Sequence, residues 1–376
     1  MKSRRPTPGR CRRCGSPMKS PNSKPHASWS RSMTFSKLAF AALAALFLGD
    51  PVCAAPIKFA TLAPDGTDAM KVMRQIDEEM QKKSGGKVKF KFYAGGRQGD
   101  EKDMVRKIRV GQLHAGGFTG VGLGEVSPEI RVLDAPWLFE NTGEVDHIYE
   151  KFAKDFEDAF REKGYELLGW TEVGFVYVFS NEPVRTAEDM KKLKIWVWEG
   201  DPIAEAAFGA IGVHPIPLSI TDVNSSLQTG LIDAVYSAPL YAIALQWHEK
   251  TQHIYSVPLA NATGAVLIAK SAFDKLSPEN QKLLKEVSAK HLRTLNEKTR
   301  RENERAIATL KKQGLKWNTP PAAKDRKTFI NAGKKARKEL VGRLYSQELL
   351  DRIESALSAF RAEAKKTGGG KKKSGS

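Results

Sequence analysis

From residue 57 onward the apolar positions recur in two rhythms. "IKFATLA" (57–63) and "KVKFKFYA" (87–94) alternate at period two, as strands do. Between them Met70, Met73, Ile76 and Met80 recur at helical spacing over 67–84. Met104, Val105, Ile108 and Val110 mark a second helix over 100–111, with Asp100 as its N-cap, and "LHAGGFTG" (113–120) reads as a strand ending in a glycine-rich turn. This βαβαβ order predicts a parallel sheet flanked by helices. A Phe-rich helix over 143–163 follows, then the long β-rich stretch 165–184, with Gly174 as its bending point. Short elements come next: helix 186–192, strand 194–198, helix 201–211, strand 213–217, helix 219–230, strand 232–236, helix 239–251, and strands near 253–258 and 263–269. Residues 277–314 predict one long charged helix, with Leu283, Leu284, Val287, Leu292 and Leu295 as its apolar stripe. A strand at 315–318 and helices over 323–341 and 347–364 complete the pattern.

The strand in "KIWVWEGDP" (194–202) stands apart. Period-two geometry puts Trp196 and Trp198 on one face and Ile195 and Val197 on the other. Two neighbouring indoles are either core or the wall of a pocket.

The elements divide into two α/β lobes joined by extended segments. The expected organisation is lobe I from 56–175, lobe II from 176–262, a return to lobe I with the long crossing helix over 263–314, C-terminal helices over 315–364 and a basic flexible tail over 365–376. Two lobes joined by strands leave a cleft, where small ligands bind and hinge closure traps them.

Charge and cysteine use refine this picture. The net charge is +18, but residues 1–55 hold ten Lys/Arg against one acid and residues 361–376 six against one. The body, 56–360, holds 45 against 41, with no basic stripe interleaved with aromatics, so nucleic acid is not an expected partner. Residues 1–55 read as a signal peptide: Lys37, the eleven-residue apolar run "LAFAALAALFL" (38–48), and small residues in "VCAAP" for cleavage after Ala54 or Ala55, with Met33 as an alternative start. The mature protein is then exported to the periplasm. Cys11, Cys14 and Cys53 all lie at or before that site, which leaves no thiol chemistry in the mature chain.

No catalytic constellation is present: no G-x-S-x-G, no H-E-x-x-H, no phosphate loop. His248 and His253 are five apart, off the one-turn spacing of a helical metal pair. The expectation is a binding protein with no enzymatic activity, cofactor or metal.

Several stretches, in order, carry a family resemblance: "GGRQGDEKDMVRKIRVGQL" (95–113), "APWLF" (135–139), "SNEPVRTAEDMKKLKIWV" (180–197), "GAIGVHPIPLSITDVNSSLQTGLIDAV" (209–235) and "FDKLSPENQKLL" (273–284). The body, roughly 57–345, resembles the solute-binding proteins of TRAP transporters, the DctP family. The resemblance implies a two-lobed periplasmic-binding-protein-like α/β fold with a β-strand hinge and a long helix spanning both lobes. It also implies a periplasmic receptor serving TRAP membrane permease subunits, in some members beside a TPR-repeat periplasmic protein. The family's arginines that clamp an organic acid fall, by this alignment, at Trp196 and near Val176, and the other pocket positions at Leu62, Phe118, Thr119, Trp198, Ile220, Tyr236, Ser237 and Gly264. The expected cleft is therefore aromatic and lacks the clamp, which suits an apolar or amphipathic ligand and resembles an arginine-lacking subgroup. The alternatives are an organic-acid receptor with a relocated arginine, drawn from Arg97, Arg109, Arg131 and Arg185, and a secreted interaction protein without a transport role.

Overall fold

In the computed structural model, which describes residues 55–370, the alternating stretches become β1 (Ile57–Thr61), β2 (Phe90–Tyr93) and β3 (Ala115–Thr119), separated by α1 (Asp68–Lys83) and α2 (Glu101–Arg109). The expected signal peptide, the three cysteines and the end of the basic tail lie outside the described residues. Thr67 caps α1, and Asp100 caps α2 through a capping box with Asp103.

Two elements appear that the hydrophobic pattern did not predict: α3 (Gly120–Val126) and a 3₁₀ segment, Pro128–Asp134. The single helix expected over 143–163 is instead α4 (Thr142–Lys151) and α5 (Ala153–Glu162), broken at Phe152. There follow β4 (Tyr165–Ser180), α6 (Ala187–Met190), β5 (Trp196–Trp198), α7 (Pro202–Ala210), β6 (Ile216–Leu218), α8 (Val223–Thr229), β7 (Ala234–Ser237), α9 (Pro239–Ala244), β8 (His253–Ile254) and β9 (Ala260–Ala269). The chain closes with α10 (Lys270–Phe273), α11 (Pro278–Lys312), β10 (Lys316–Trp317), α12 (Ala323–Glu339) and α13 (Gln347–Gly370), the last running past its expected end at 364.

The sheet of lobe I has the order β2-β1-β3-β9-β4. Its β1, β2 and β3 are parallel as expected, but β9 runs antiparallel to both β3 and β4, so the sheet is mixed. The reason is β4. Its first half pairs with β9, and its second half continues into lobe II, where it pairs with β7 and β8. One unbroken strand thus belongs to both lobes. Register shifts between Leu167 and Gly169 and between Glu172 and Gly174 bend it on the way, the second at the glycine the sequence marked.

The long helix α11 spans about 52 Å at 1.5 Å per residue. Leu284, Val287, Leu292 and Leu295 bury into the core of lobe I, and Leu310 into that of lobe II. It seats on β4 where side chains are missing: a Cβ on Gly169 would lie 2.8 Å from Leu292, and one on Gly174 2.7 Å from Asn303. Asn303 and Asn296 donate to the carbonyls of Val173 and Trp170, fixing helix to strand along the junction.

Candidate functional site

The period-two reading of the tryptophan strand holds in three dimensions. Ile195 and Val197 pack in one core cluster and Trp196 and Trp198 in another, on the opposite face. The indole face borders a cavity of about 210 Å³ between the lobes.

On the lobe II side, Trp196 is the centre of an aromatic wall. Its ring stacks on Tyr236 (5.1 Å, 21°), meets Trp247 edge-on (5.2 Å) and lies 6.0 Å from Trp198. Its Nε1 donates to the Leu218 carbonyl on the neighbouring strand at 3.0 Å, which satisfies the indole's polar atom. Phe208 of α7 extends the wall, 6.1 Å from Tyr236.

The lobe I side is built around α3. Its sequence, "GVGLGEV", places three glycines in one helix of seven residues, against helix propensity. The glycines make room for three charged side chains. A Cβ on Gly120 would lie 1.6 Å from Asp134, one on Gly122 2.7 Å from Glu101, and one on Gly124 2.8 Å from the stem of Arg131.

Each of these charges is buried and partnered. Glu101, 1% exposed, accepts from the Thr119 N–H (2.8 Å), the Thr119 hydroxyl (2.8 Å) and the Gly122 N–H (2.7 Å). Burial outweighs those bonds and pushes its carboxyl up to about 7. Asp134 accepts from the Thr263 N–H at 2.7 Å, and burial raises it to about 6 against the pull of Arg131. Arg131 donates from Nη2 to Asp201 at 2.8 Å, and its Nε lies 3.0 Å from Asp134 without hydrogen-bond alignment. Asp201 also caps α7 through the Ile203 N–H and accepts from the Tyr236 hydroxyl at 3.3 Å. The Arg131–Asp201 pair therefore joins lobe I to lobe II.

A second set of bonds closes the lip. Asp100 accepts from Trp198 Nε1 (2.9 Å), from the Ser219 hydroxyl (2.6 Å) and from the Ile220 N–H (3.4 Å), all on lobe II. Beside it, Lys102 donates to the Glu199 carbonyl at 2.5 Å. The lobes are closed on one another.

Of the ten pocket positions expected from the sequence, Leu62, Phe118, Thr119, Val176, Trp196, Trp198, Ile220, Tyr236 and Ser237 border the cavity. Gly264 does not. It sits in β9 between Thr119 and Thr171, where a Cβ would lie 2.5 Å from the Thr171 hydroxyl, so it serves close strand packing. The expectation of a cleft without a guanidinium is corrected by Arg131, which borders the cavity and is 4% exposed. Arg97, Arg109 and Arg185 are exposed elsewhere. Glu101, Asp134, Asp201, Phe208 and Trp247 also border the cavity and were missed. The spacing of Gly120, Gly122 and Gly124 was the available signal.

The sequence profile described as bacterial extracellular solute-binding protein, family 7 (DctP) matches residues 59–343. The 2,3-diketo-L-gulonate-binding periplasmic protein of Escherichia coli is 29% identical over 312 residues, covering 80% of this chain and 91% of that protein. The ectoine/5-hydroxyectoine-binding periplasmic protein of Ruegeria pomeroyi is 28% identical over 229 residues, covering 58% of this chain and 65% of that protein. Among solved structures, a TRAP periplasmic solute-binding protein of Pseudomonas putida F1 with bound D-glucuronate superposes with a TM-score of 0.73 at 24% identity, covering 80% of this chain and 97% of that one. The sugar acid binding protein of Advenella mimigardefordensis in complex with galactonate superposes with a TM-score of 0.76 at 20% identity, covering 81% and 98%. These likenesses identify the fold as that of the two-lobed TRAP periplasmic binding proteins.

Proposed function

The chain belongs to family 7 of the bacterial extracellular solute-binding proteins, the DctP family, and on that premise we propose that its cleft captures a small amphipathic molecule in the periplasm for a TRAP-type permease. It is a solute receptor of the TRAP type and not an enzyme. In this reading the ligand's apolar body lies against Trp196, Trp198, Tyr236 and Phe208, and Leu62, Phe118, Val176 and Ile220 complete the apolar lining. Thr119 and Ser237 supply hydroxyls at its edge.

The observation that carries the reading is the state of Arg131. Its charge is already met by Asp134 and Asp201. At an effective dielectric near 20, a ligand carboxylate about 4 Å from the guanidinium gains about 4 kcal/mol, while two aspartates about 6 Å away cost about 5–6 kcal/mol together. Desolvating the anion costs more again. An apolar body loses nothing by this arrangement and gains from the rings.

A second reading has one observation in its favour: Arg131 is a guanidinium at the cleft, and named relatives hold D-glucuronate and galactonate. An organic acid would then bind by displacing an aspartate from Arg131. Native mass spectrometry of protein purified from the periplasm separates the two. The expected result is a retained amphipathic mass that survives Arg131→Lys. A retained sugar acid or diacid, lost in that variant, would replace the first reading with the second.

A further inference from the structure

The body as a whole is near neutral, with 45 Lys/Arg against 41 acids over 56–360, but its cations are unevenly spread: residues 82–91 hold five lysines and no acid, and one helix is a second such concentration. Helix α12 carries seven Lys/Arg against two acids, whereas the rest of 56–360 holds 38 against 39. Removing this single helix would leave a body with no net positive charge.

The helix is firmly seated. Phe329, Ala332, Gly333, Ala336 and Arg337 face inward. Gly333 lies under Trp137, where a Cβ would fall 2.8 Å from the ring. Arg337 is consumed internally, donating to the Pro136 carbonyl (2.6 Å) and to Glu354 (2.9 Å). The outward face is different. Lys324, Lys327, Lys334, Lys335 and Lys338 are exposed, and none is in an ion pair with any described residue. At 100° per residue these lysines and Asn331 occupy one arc of the helix. Ile330, 41% exposed, and the carboxylate of Glu339 flank it, one at each margin. Some lysines elsewhere are paired locally, Lys71 with Asp68, Lys83 with Glu79, Lys154 with Asp158 and Lys270 with Asp274, while Lys82, Lys87 and Lys163 are exposed and in no ion pair with any described residue. The outer face of α12 has cations without such partners.

We infer that this face docks the protein on an anionic phospholipid surface. The cations are spread along a convex, rigid helix and not gathered in a groove, so they match a plane of negative charge better than the shaped site of one protein partner. The margin isoleucine adds a shallow apolar contact of the kind an interfacial helix uses. A concentration of cations on one helix face also favours one orientation in the field of such a surface before contact. For a receptor that must meet a membrane permease, docking confines the search to the plane of the bilayer.

The test is co-sedimentation of the full chain with phosphatidylcholine vesicles, with and without about one-third phosphatidylglycerol. Each lysine near an anionic bilayer contributes about fivefold to binding, so Lys327→Gln/Lys334→Gln/Lys338→Gln should weaken it on the order of a hundredfold. Raising salt from about 50 mM to about 300 mM should release the parent protein. These exposed substitutions leave the thermal midpoint in place, which a melting curve on the same samples checks. The inference falls if the anionic vesicles bind no better than neutral ones. It falls equally if the triple variant binds as the parent does, since the basic tail then carries the attraction. It also falls if binding requires permease in neutral vesicles, which assigns the face to a protein.

Discussion

Asp100 does two jobs that a pair of substitutions can separate. It caps α2, accepting the Glu101 N–H at 2.6 Å, and it holds lobe II by accepting from Trp198, Ser219 and Ile220. The first job exists whether the lobes are open or closed; the second exists only when they are closed. Serine at 100 keeps a capping oxygen but is too short to reach across the lip, so it should cost the helix only a few tenths of a kcal/mol. Across the lip it loses two good hydrogen bonds to a charged acceptor, at about 1.5 kcal/mol or more each, and one weaker bond. The closed form should therefore lose about 3 kcal/mol relative to the open form, a factor of roughly 150 in that equilibrium. Trp198→Phe removes one donor and should cost about half as much, and the double variant should show strong coupling rather than additive loss. Small-angle scattering with and without bound ligand reads the closure, and urea unfolding reads the fold. If Asp100→Ser scatters like the parent and binds ligand as tightly, the three bonds do not hold the lobes together. If Asp100→Ser unfolds instead, capping was the main role.

Three further predictions concern the buried carboxyls, the glycines and the tryptophan strand. Stability should fall as pH rises from about 4 to about 7, because Glu101 and Asp134 sit at about 7 and about 6 in the folded protein and near 4 when unfolded. Between those values the folded state holds the extra protons, so the contribution is present at low pH and lost through the folded values; Glu101→Gln should flatten the slope in urea titrations at pH 5, 6 and 7, and an unchanged slope would refute the assignment. Gly120→Ala drives a methyl into Asp134 and should cost about 3 kcal/mol or more, whereas Gly209→Ala, in open space within α7, should stabilise by about 0.5–1 kcal/mol in the same denaturation assay. Trp196→Arg should destabilise the fold by several kcal/mol, because position 196 is 1% exposed among Phe179, Val223 and Trp247, while Trp196→Phe should cost about 1–2 kcal/mol; an arginine variant melting with the parent would mean that the ring faces open space.

What could be read from the chain follows the range of each signal. The alternation Ile195-Trp196-Val197-Trp198 is local, and it correctly separated the two faces, which pack in different core clusters. The stripe Leu284, Val287, Leu292 and Leu295 is local too, and α11 lies where it predicted. Asp100 was legible as a cap from its position before an apolar-periodic run, but its three partners across the lip are 98 to 120 residues away in sequence. Helix α3 was not predicted, and three glycines in five positions weaken a helix. The same glycines are required by charges arriving from α2 and from the 3₁₀ segment, and no local pattern announces those. Gly264 failed in the opposite sense. A position matched to a pocket by alignment serves strand packing here.

The sequence by itself determined most of the order of strands and helices, the family and the face on which the indoles sit, because periodicity and motif order act over a few residues at a time. Only the tertiary structure decided that a guanidinium stands at the cleft, that two aspartates from separate lobes already neutralise it, and that five lysines of α12 lie exposed and in no ion pair with any described residue. Those outcomes depend on which side chains meet after the chain has closed on itself. A buried charge is tolerable only where its partners converge, and convergence belongs to the fold rather than to any stretch of residues.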